Sequence, residues 1–390
     1  MALRETVMIA PLGHQGEPFF VPQGIFFLMG RDFSDKACYD KRKNPQEETN
    51  MTYSEVLANA RQAMSPNCKA CPVCNGRACT NHVPGPGAKG VGDNAIRNFD
   101  AWQRIRVNMD TIHEGGDPDT SLELFGKHFR YPFFAGPVGA VTMHYSDKYD
   151  DLAYNNVLVK ACAENGIAAF TGDGLNADVM KSACSAIAAC QGMGVPTVKP
   201  WNQETVSAKM ELVHASHCFA VAMDVDGAGL PFLKGMNPPA GSKTVEQLAE
   251  IAKMAGKPFI VKGIMTVKGA LKAKQAGAAA IVVSNHGGRV LDQCPATAEV
   301  LPAIVEALKG SGVKILVDGG LRSGVDVFKA LAMGADAVII ARPFVSAVYG
   351  GGEEGVKLYI DKIGGELSDA MTMCGAKSLK DITPDMVFVR

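Results

Sequence analysis

The sequence carries almost no net charge: 39 lysines and arginines against 40 aspartates and glutamates leave −1 at pH 7. With the two signs interspersed, the expectation is neither a nucleic-acid surface nor a polybasic membrane patch. Long apolar runs are missing as well. Stretches such as Gly24-Ile25-Phe26-Phe27-Leu28-Met29-Gly30 are too short to span a bilayer. The opening Met1-Ala2-Leu3-Arg4-Glu5 lacks the apolar core of a secretory signal. Cysteine, by contrast, is plentiful. Eleven in a chain without an export signal point to thiols or metal ligands rather than a disulfide framework. The expectation is a soluble cytoplasmic protein, and 390 residues leave room for one large α/β domain plus an extra module.

From residue 131 onward a short apolar run alternates with a helix-like segment eight times. The expected strands are Phe133–Ala135, Ile167–Phe170, Pro196–Val198, Phe219–Met223, Phe259–Val261, Ala280–Val283, Ile315–Val317 and Ala337–Ile340. Ser323–Met333 and Val267–Ala276 are the clearest helices, with apolar residues three and four apart. Eight such units in roughly 250 residues predict a TIM (β/α)8 barrel, with a doubly wound open sheet as the alternative. Every predicted strand ends in a polar or glycine-containing group, from Pro137-Val138-Gly139 to Ala341-Arg342-Pro343. A barrel brings all of those ends to one mouth, whereas an open sheet lets only some meet. The barrel is the reading.

The first 130 residues differ. Residues 1–50 show no sustained period and are expected to be an irregular, flexible extension, with Met51 as an alternative start. Residues 51–95 read as a module: a helix over Met51–Ala63 opened by the capping box Thr52-Tyr53-Ser54-Glu55, a cysteine cluster, and a Gly/Pro-rich linker over Val83–Gly92. The barrel domain then spans 96–390, with Asn98–Met109 returning the chain to it.

The densest chemistry is Ser284-Asn285-His286-Gly287-Gly288-Arg289-Val290-Leu291-Asp292-Gln293, directly after an apolar strand. A proton acceptor, His286, and a fixed cation, Arg289, emerge together there. That pairing suits an anionic substrate, since arginine clamps a carboxylate through two hydrogen bonds while histidine takes a proton. Asp318-Gly319-Gly320-Leu321-Arg322-Ser323-Gly324 and Arg342-Pro343-Phe344 follow strands seven and eight, the usual phosphate cradle of a barrel. Lys262 ends strand five, where an ammonium either forms a Schiff base or holds negative charge on a cofactor such as a reduced flavin.

With Val261-Lys262-Gly263-Ile264-Met265-Thr266, these motifs resemble the FMN-dependent 2-hydroxy-acid oxidase and dehydrogenase family, which includes glycolate and lactate oxidases. The resemblance covers about residues 96–380. It implies FMN and the oxidation of a small 2-hydroxy acid to a 2-oxo acid, with oxygen or a redox partner protein taking the electrons. His286 becomes the base, Arg289 the carboxylate clamp, and Asp226 the acid that orients the histidine. Lys262 contacts the flavin near N1, Ser284 stands beside it, and Asp318 holds ribityl hydroxyls. Gly320, Arg322 and Arg342 hold the phosphate, while Thr171 and the Pro137–Gly139 turn line the ring. A homo-oligomer is implied too. Departures stand out: Lys199-Pro200-Trp201 replaces the family's Gln-x-Tyr, the second carboxylate-binding arginine has no match, and Asp224 replaces a threonine. Gly139 stands where alanine is usual, which implies more space beside the flavin and altered reaction with oxygen. The stretch Asp224–Gly229 also loosely resembles FMN-dependent isopentenyl diphosphate isomerases, the alternative chemistry. A non-catalytic scaffold is a third reading, disfavoured by the phosphate and lysine motifs.

Cys68, Cys71, Cys74 and Cys79 place four thiols at x2, x2 and x4 spacing. The first three resemble a ferredoxin-type run, so an iron–sulfur cluster leads and zinc is the alternative. Such a cluster either relays electrons from the flavin or is purely structural. The remaining cysteines read as small core residues, and the histidines other than His286 as surface or satisfied groups.

Overall fold

The computed structural model describes residues 51–233 and 235–389, which belong to one compact unit. The expected extension over residues 1–50 lies outside the described residues. Eight parallel strands close into a barrel: β1 (Phe133–Ala135), β2 (Ala169–Thr171), β3 (Gly194–Val198), β4 (Val221–Asp224), β5 (Phe259–Ile264), β6 (Ala280–Val283), β7 (Lys314–Asp318) and β8 (Ala337–Ile340). Each pairs with its sequence neighbours, and β8 pairs with β1 to close the ring. Strands such as Ala280–Val283 and Ala337–Ile340 are buried at every residue. Helices cover one face and the barrel core the other, so unbroken apolar runs were the right signal.

All eight expected strands are present, with shifted bounds. β2 begins at Ala169, where pairing to Gly194 starts, while Ile167 is tied to the preceding helix through the Cys162 carbonyl at 3.0 Å. β5 runs on to Ile264 because pairing with β6 resumes there, across an irregularity at Gly263. Side-chain caps start the intervening helices. Ser323 Oγ, for example, accepts the Asp326 amide at 3.1 Å just beyond β7.

The amino-terminal module is fastened to the barrel rather than linked to it. Helix α1 (Tyr53–Met64) opens with the expected Thr52–Glu55 capping box. It packs on the long, kinked last helix, which runs over Arg342–Met373. Tyr53 stacks on Tyr359 with ring centroids 5.4 Å apart. The approach is so close that a Cβ at Gly350 would lie 1.9 Å from the Val56 carbonyl oxygen, so glycine is required there. Val83–Gly92 is no linker: Gly85–Ala88 are buried, and the Lys89 amide bonds the Gly288 carbonyl at 2.8 Å. Glycine and proline serve a backbone that turns tightly against the barrel mouth, its carbonyls satisfied by side chains.

Helix α2 (Asp93–Arg104) starts earlier than the expected Asn98. Its amino terminus has no cap of its own, and Asp292 supplies one from a distance, accepting the amides of Val91, Gly92 and Asn94 at 2.8, 3.1 and 3.1 Å. These amides hold the Asp292 carboxyl below its ordinary pKa despite some burial. Ile105–Val107 then pairs antiparallel with Val387–Val389. Cys162, Cys184, Cys218 and Cys374 are buried, while Cys190 and Cys294 are half-buried. Among the described residues, no helix is long and apolar enough to cross a membrane.

Candidate active site

A cavity of about 420 Å³ opens at the carboxyl ends of the strands. Its walls include Pro137 and Gly139 after β1, Lys199 after β3, Lys262 on β5, His286 and Arg289 after β6, Asp318, Gly320 and Arg322 from β7 onward, and Arg342 after β8. The polar strand ends do converge. Thr171, Ser284 and Asp226 do not line it directly. The last two stand behind Lys262 and His286.

His286 has a left-handed backbone, φ 56°, followed by Gly287 at 61° and Gly288 at 81°. Strain of this kind in a non-glycine residue is held in place by surroundings that over-determine it. Here the His286 amide bonds Ser284 Oγ at 3.1 Å and Nδ1 lies 3.1 Å from Asp226 Oδ1. With Nδ1–H donating to the carboxylate, Nε2 is left as the acceptor. Asp226 fits only because residue 263 is glycine. A Cβ there would lie 2.6 Å from the Asp226 Cβ, and φ is +104°.

Charge sets the protonation states. Burial pushes the Asp226 carboxyl up, but the Lys262 ammonium outweighs it, with help from His286 and Lys199, and the pKa falls to about 2. Burial also works against the Lys262 cation, yet Asp226, Asp318 and Asp224 hold its pKa above the ordinary lysine value. For His286, burial and then Lys262 lower the pKa, against the pull of Asp226. The imidazole is therefore neutral and able to accept a proton near pH 7. Asp224, Asp226 and His286 bring ligand atoms within 4.8 Å of one another. Because Lys199 pairs with Asp224, and Lys262 reaches Ser284 Oγ at 3.0 Å and Asp318 at 3.5 Å, this is a self-neutralised network rather than a cation site.

Several residues matter that sequence reasoning passed over. Asp173 accepts from Trp201 Nε1 at 2.7 Å, Lys199 N at 2.9 Å, Gly174 N at 2.8 Å and Lys209 Nζ at 2.6 Å, locking together the loops after β2 and β3. Trp201 is thus fully buried packing and not a cavity wall. A Cβ at Gly139 would come within 3.3 Å of the Asp173 carbonyl oxygen, so glycine accommodates this loop. His144, set aside as an unremarkable histidine, lines the cavity, and burial followed by Arg289 depresses its pKa to about 4. Only a run of polar residues after each strand hinted at these roles.

The arginines sit where expected but are partly engaged. Arg289 NH1 donates to the carbonyls of Gly85 and Gly87 at 2.7 and 2.9 Å, and NH2 faces His144. Arg322 Nε donates to the Cys74 carbonyl at 2.6 Å, NH1 to Leu321 O at 2.6 Å, and NH2 is buried without a protein partner. Arg342 NH1 reaches the Pro86 carbonyl at 3.4 Å. Thr171 Oγ1, Thr197 Oγ1 and Asp318 Oδ1 are likewise buried without protein partners. Buried polar atoms ordinarily find partners. A ribityl phosphate and a heterocycle would satisfy those of the set that line the cavity, on Arg322, Thr197 and Asp318, so the residues fit FMN. Cys68, Cys71, Cys74 and Cys79 are half-buried free thiols. Burial raises the Cys68 pKa to about 12; for Cys74 burial acts the same way, but Arg322 and Arg342 outweigh it and lower the pKa. Among the described residues, no three of these sulfurs lie within 4.8 Å of one another.

A family model described as FMN-dependent dehydrogenase matches residues 85–231 and 236–389. A peroxisomal (S)-2-hydroxyacid oxidase of Arabidopsis thaliana is 48% identical over 145 residues, 37% of this chain and 39% of that one. An L-lactate oxidase of Lactobacillus jensenii is 47% identical over 135 residues, 35% and 33% of the respective chains. These matches span well under half the length of either relative. A solved mandelate oxidase variant with a monooxide FMN adduct superposes over 86% of this chain and 99% of its own, with a TM-score of 0.70 and 26% identity.

Proposed function

This chain belongs to the FMN-dependent dehydrogenase family, and on that premise we propose that it oxidises a small 2-hydroxy acid to the 2-oxo acid. The observation that carries the reading is the His286–Asp226 pair, 3.1 Å apart beside a buried lysine at the mouth of the barrel. FMN, when bound, supplies the acceptor for the two electrons. His286 Nε2 takes a proton from the substrate, and Asp226 stabilises the imidazolium that results. Lys262 offsets negative charge that builds up beside it. Arg289 NH2 offers a donor to the substrate carboxylate. Met143, Val179, Leu230, Phe232 and Leu233 give the cavity an apolar flank, which suits an apolar substituent on the 2-hydroxy acid. The electrons then leave to oxygen or to a redox partner protein. Anaerobic mixing of the FMN-loaded protein with glycolate, L-lactate and L-mandelate tests this. Bleaching of the flavin absorption by at least one of them, abolished in His286→Gln, is the expected result. An unbleached flavin with all three overturns it in favour of chemistry without net redox change.

Separately, from the x2, x2 and x4 spacing of four thiols, we propose a soft metal centre at Cys68, Cys71, Cys74 and Cys79. The C-x2-C-x2-C run of Cys68, Cys71 and Cys74 follows the ferredoxin pattern, which favours an iron–sulfur cluster over zinc. Iron and acid-labile sulfide in anaerobically purified protein are expected. Zinc without sulfide, or no metal, overturns the assignment.

A further inference from the structure

We infer that the cysteine module is a working part of the flavin site, and that metal at its four thiols governs how tightly FMN is held. The inference rests on the metal centre proposed above. All three cavity arginines hang from backbone carbonyls of one segment: Arg322 from Cys74, Arg342 from Pro86, and Arg289 from Gly85 and Gly87. A guanidinium is a rigid planar fork, so fixing one edge aims the other. With Nε and NH1 of Arg322 engaged, NH2 is the end left to point at an anion, and it has no protein partner. Arg322 also forms a wall common to the flavin cavity and to a second cavity of about 290 Å³ that is lined by Cys71 and Cys74.

What holds those carbonyls is therefore decisive. Residues 65–92 contain neither helix nor strand. Residues 85–92 are tied to the barrel, as by the Lys89 amide to the Gly288 carbonyl at 2.8 Å, whereas the cysteine-bearing part before them relies on short-range turns, such as the Thr80 amide to the Gly76 carbonyl at 2.8 Å, and on local anchors, such as Arg61 Nε to the Lys69 carbonyl at 3.0 Å. Four cysteines fall within the stretch. A metal bound by all of them would pin the backbone from Cys68 to Cys79, and a segment without regular structure gains more order from such a cross-link than a helix does. Loss of the metal would leave the Cys74 carbonyl free to move, and with it the aim of Arg322.

The test uses the full chain. Cys71→Ser/Cys79→Ser removes two ligands while keeping Cys74, whose carbonyl is the acceptor. The expected result is loss of metal with native circular dichroism, and FMN binding weakened about ten- to a hundredfold, as for loss of one charge-assisted hydrogen bond, read by flavin fluorescence titration. Stripping metal from the wild-type protein with a chelator provides an independent measurement, and FMN release should track metal loss. In an Arg322→Gln background, metal removal should weaken FMN far less, since the same contact would be lost twice. Metal in the wild-type protein combined with unchanged FMN affinity after its removal overturns the linkage alone. A wild-type protein devoid of metal overturns the metal centre itself.

Discussion

Replacing Asp226 by asparagine isolates the group that makes His286 a base. The carboxylate oxygen lies 3.1 Å from Nδ1, and both side chains are mostly shielded from water. When the imidazole gains a proton, a full ion pair forms. At a charge separation near 4 Å and an effective dielectric of about 20, that pair is worth about 4 kcal/mol. A neutral asparagine retains a hydrogen bond worth about 1 kcal/mol, so the transition state loses about 3 kcal/mol. At about 1.4 kcal/mol per tenfold, flavin reduction should slow by about 10²- to 10³-fold. An amide can also donate to Nδ1, which would leave the proton on Nε2 and no acceptor facing the substrate. The assay is anaerobic rapid mixing of FMN-loaded variant and wild type with the best substrate, following flavin absorbance. Burial, Lys262 and Lys199 all lower the His286 pKa, and Asp226 is the group that raises it. Its removal should therefore shift the rising limb of the pH–rate profile to lower pH. A rate within about fivefold of wild type at equal FMN content, or a limb moved upward, would refute the reasoning.

For the unaltered protein, burial and Lys262 depress the His286 pKa below the ordinary imidazole value of 6.5, so its basic form is already present at neutral pH. Flavin reduction should be level above neutrality and decline only as pH falls through a value under 6.5, and a limb above pH 7 would contradict this. Gly263→Ala would set a Cβ 2.6 Å from that of Asp226 at a φ of +104°. It should cost about 1–3 kcal/mol of stability by urea unfolding and slow flavin reduction by displacing Asp226. Lys262→Met leaves Asp226, Asp318 and Asp224 short of a counter-charge, and a loss of about 3–5 kcal/mol is expected in the same assay. A change under 1 kcal/mol would show that the carboxylates are neutralised by other means.

Much of the site was legible because its residues sit just past apolar runs. Lys262 follows Phe259-Ile260-Val261, and His286 follows Ala280–Val283 by three residues. A barrel converts those positions into neighbours. Asp226 was identified only through the family resemblance, since nothing in its own loop marks it as the partner of a histidine 60 residues away. The Lys199–Asp224 pair and the four contacts of Asp173 escaped notice for the same reason. Each residue read alone is a polar group at a strand end, and the pairing exists only once β2, β3 and β4 are side by side.

The sequence by itself determined the barrel and its cofactor class. Parallel strands buried on both faces must be apolar throughout, and phosphate-binding loops must carry glycine and arginine, so both leave a local record. Tertiary structure alone decided that Val83–Gly92 belongs to the site and that the arginines hang from it. Arg289 meets Gly85 across 204 positions and Arg322 meets Cys74 across 248. Those bonds end on backbone carbonyls, which every residue possesses, so no choice of side chain could have announced them.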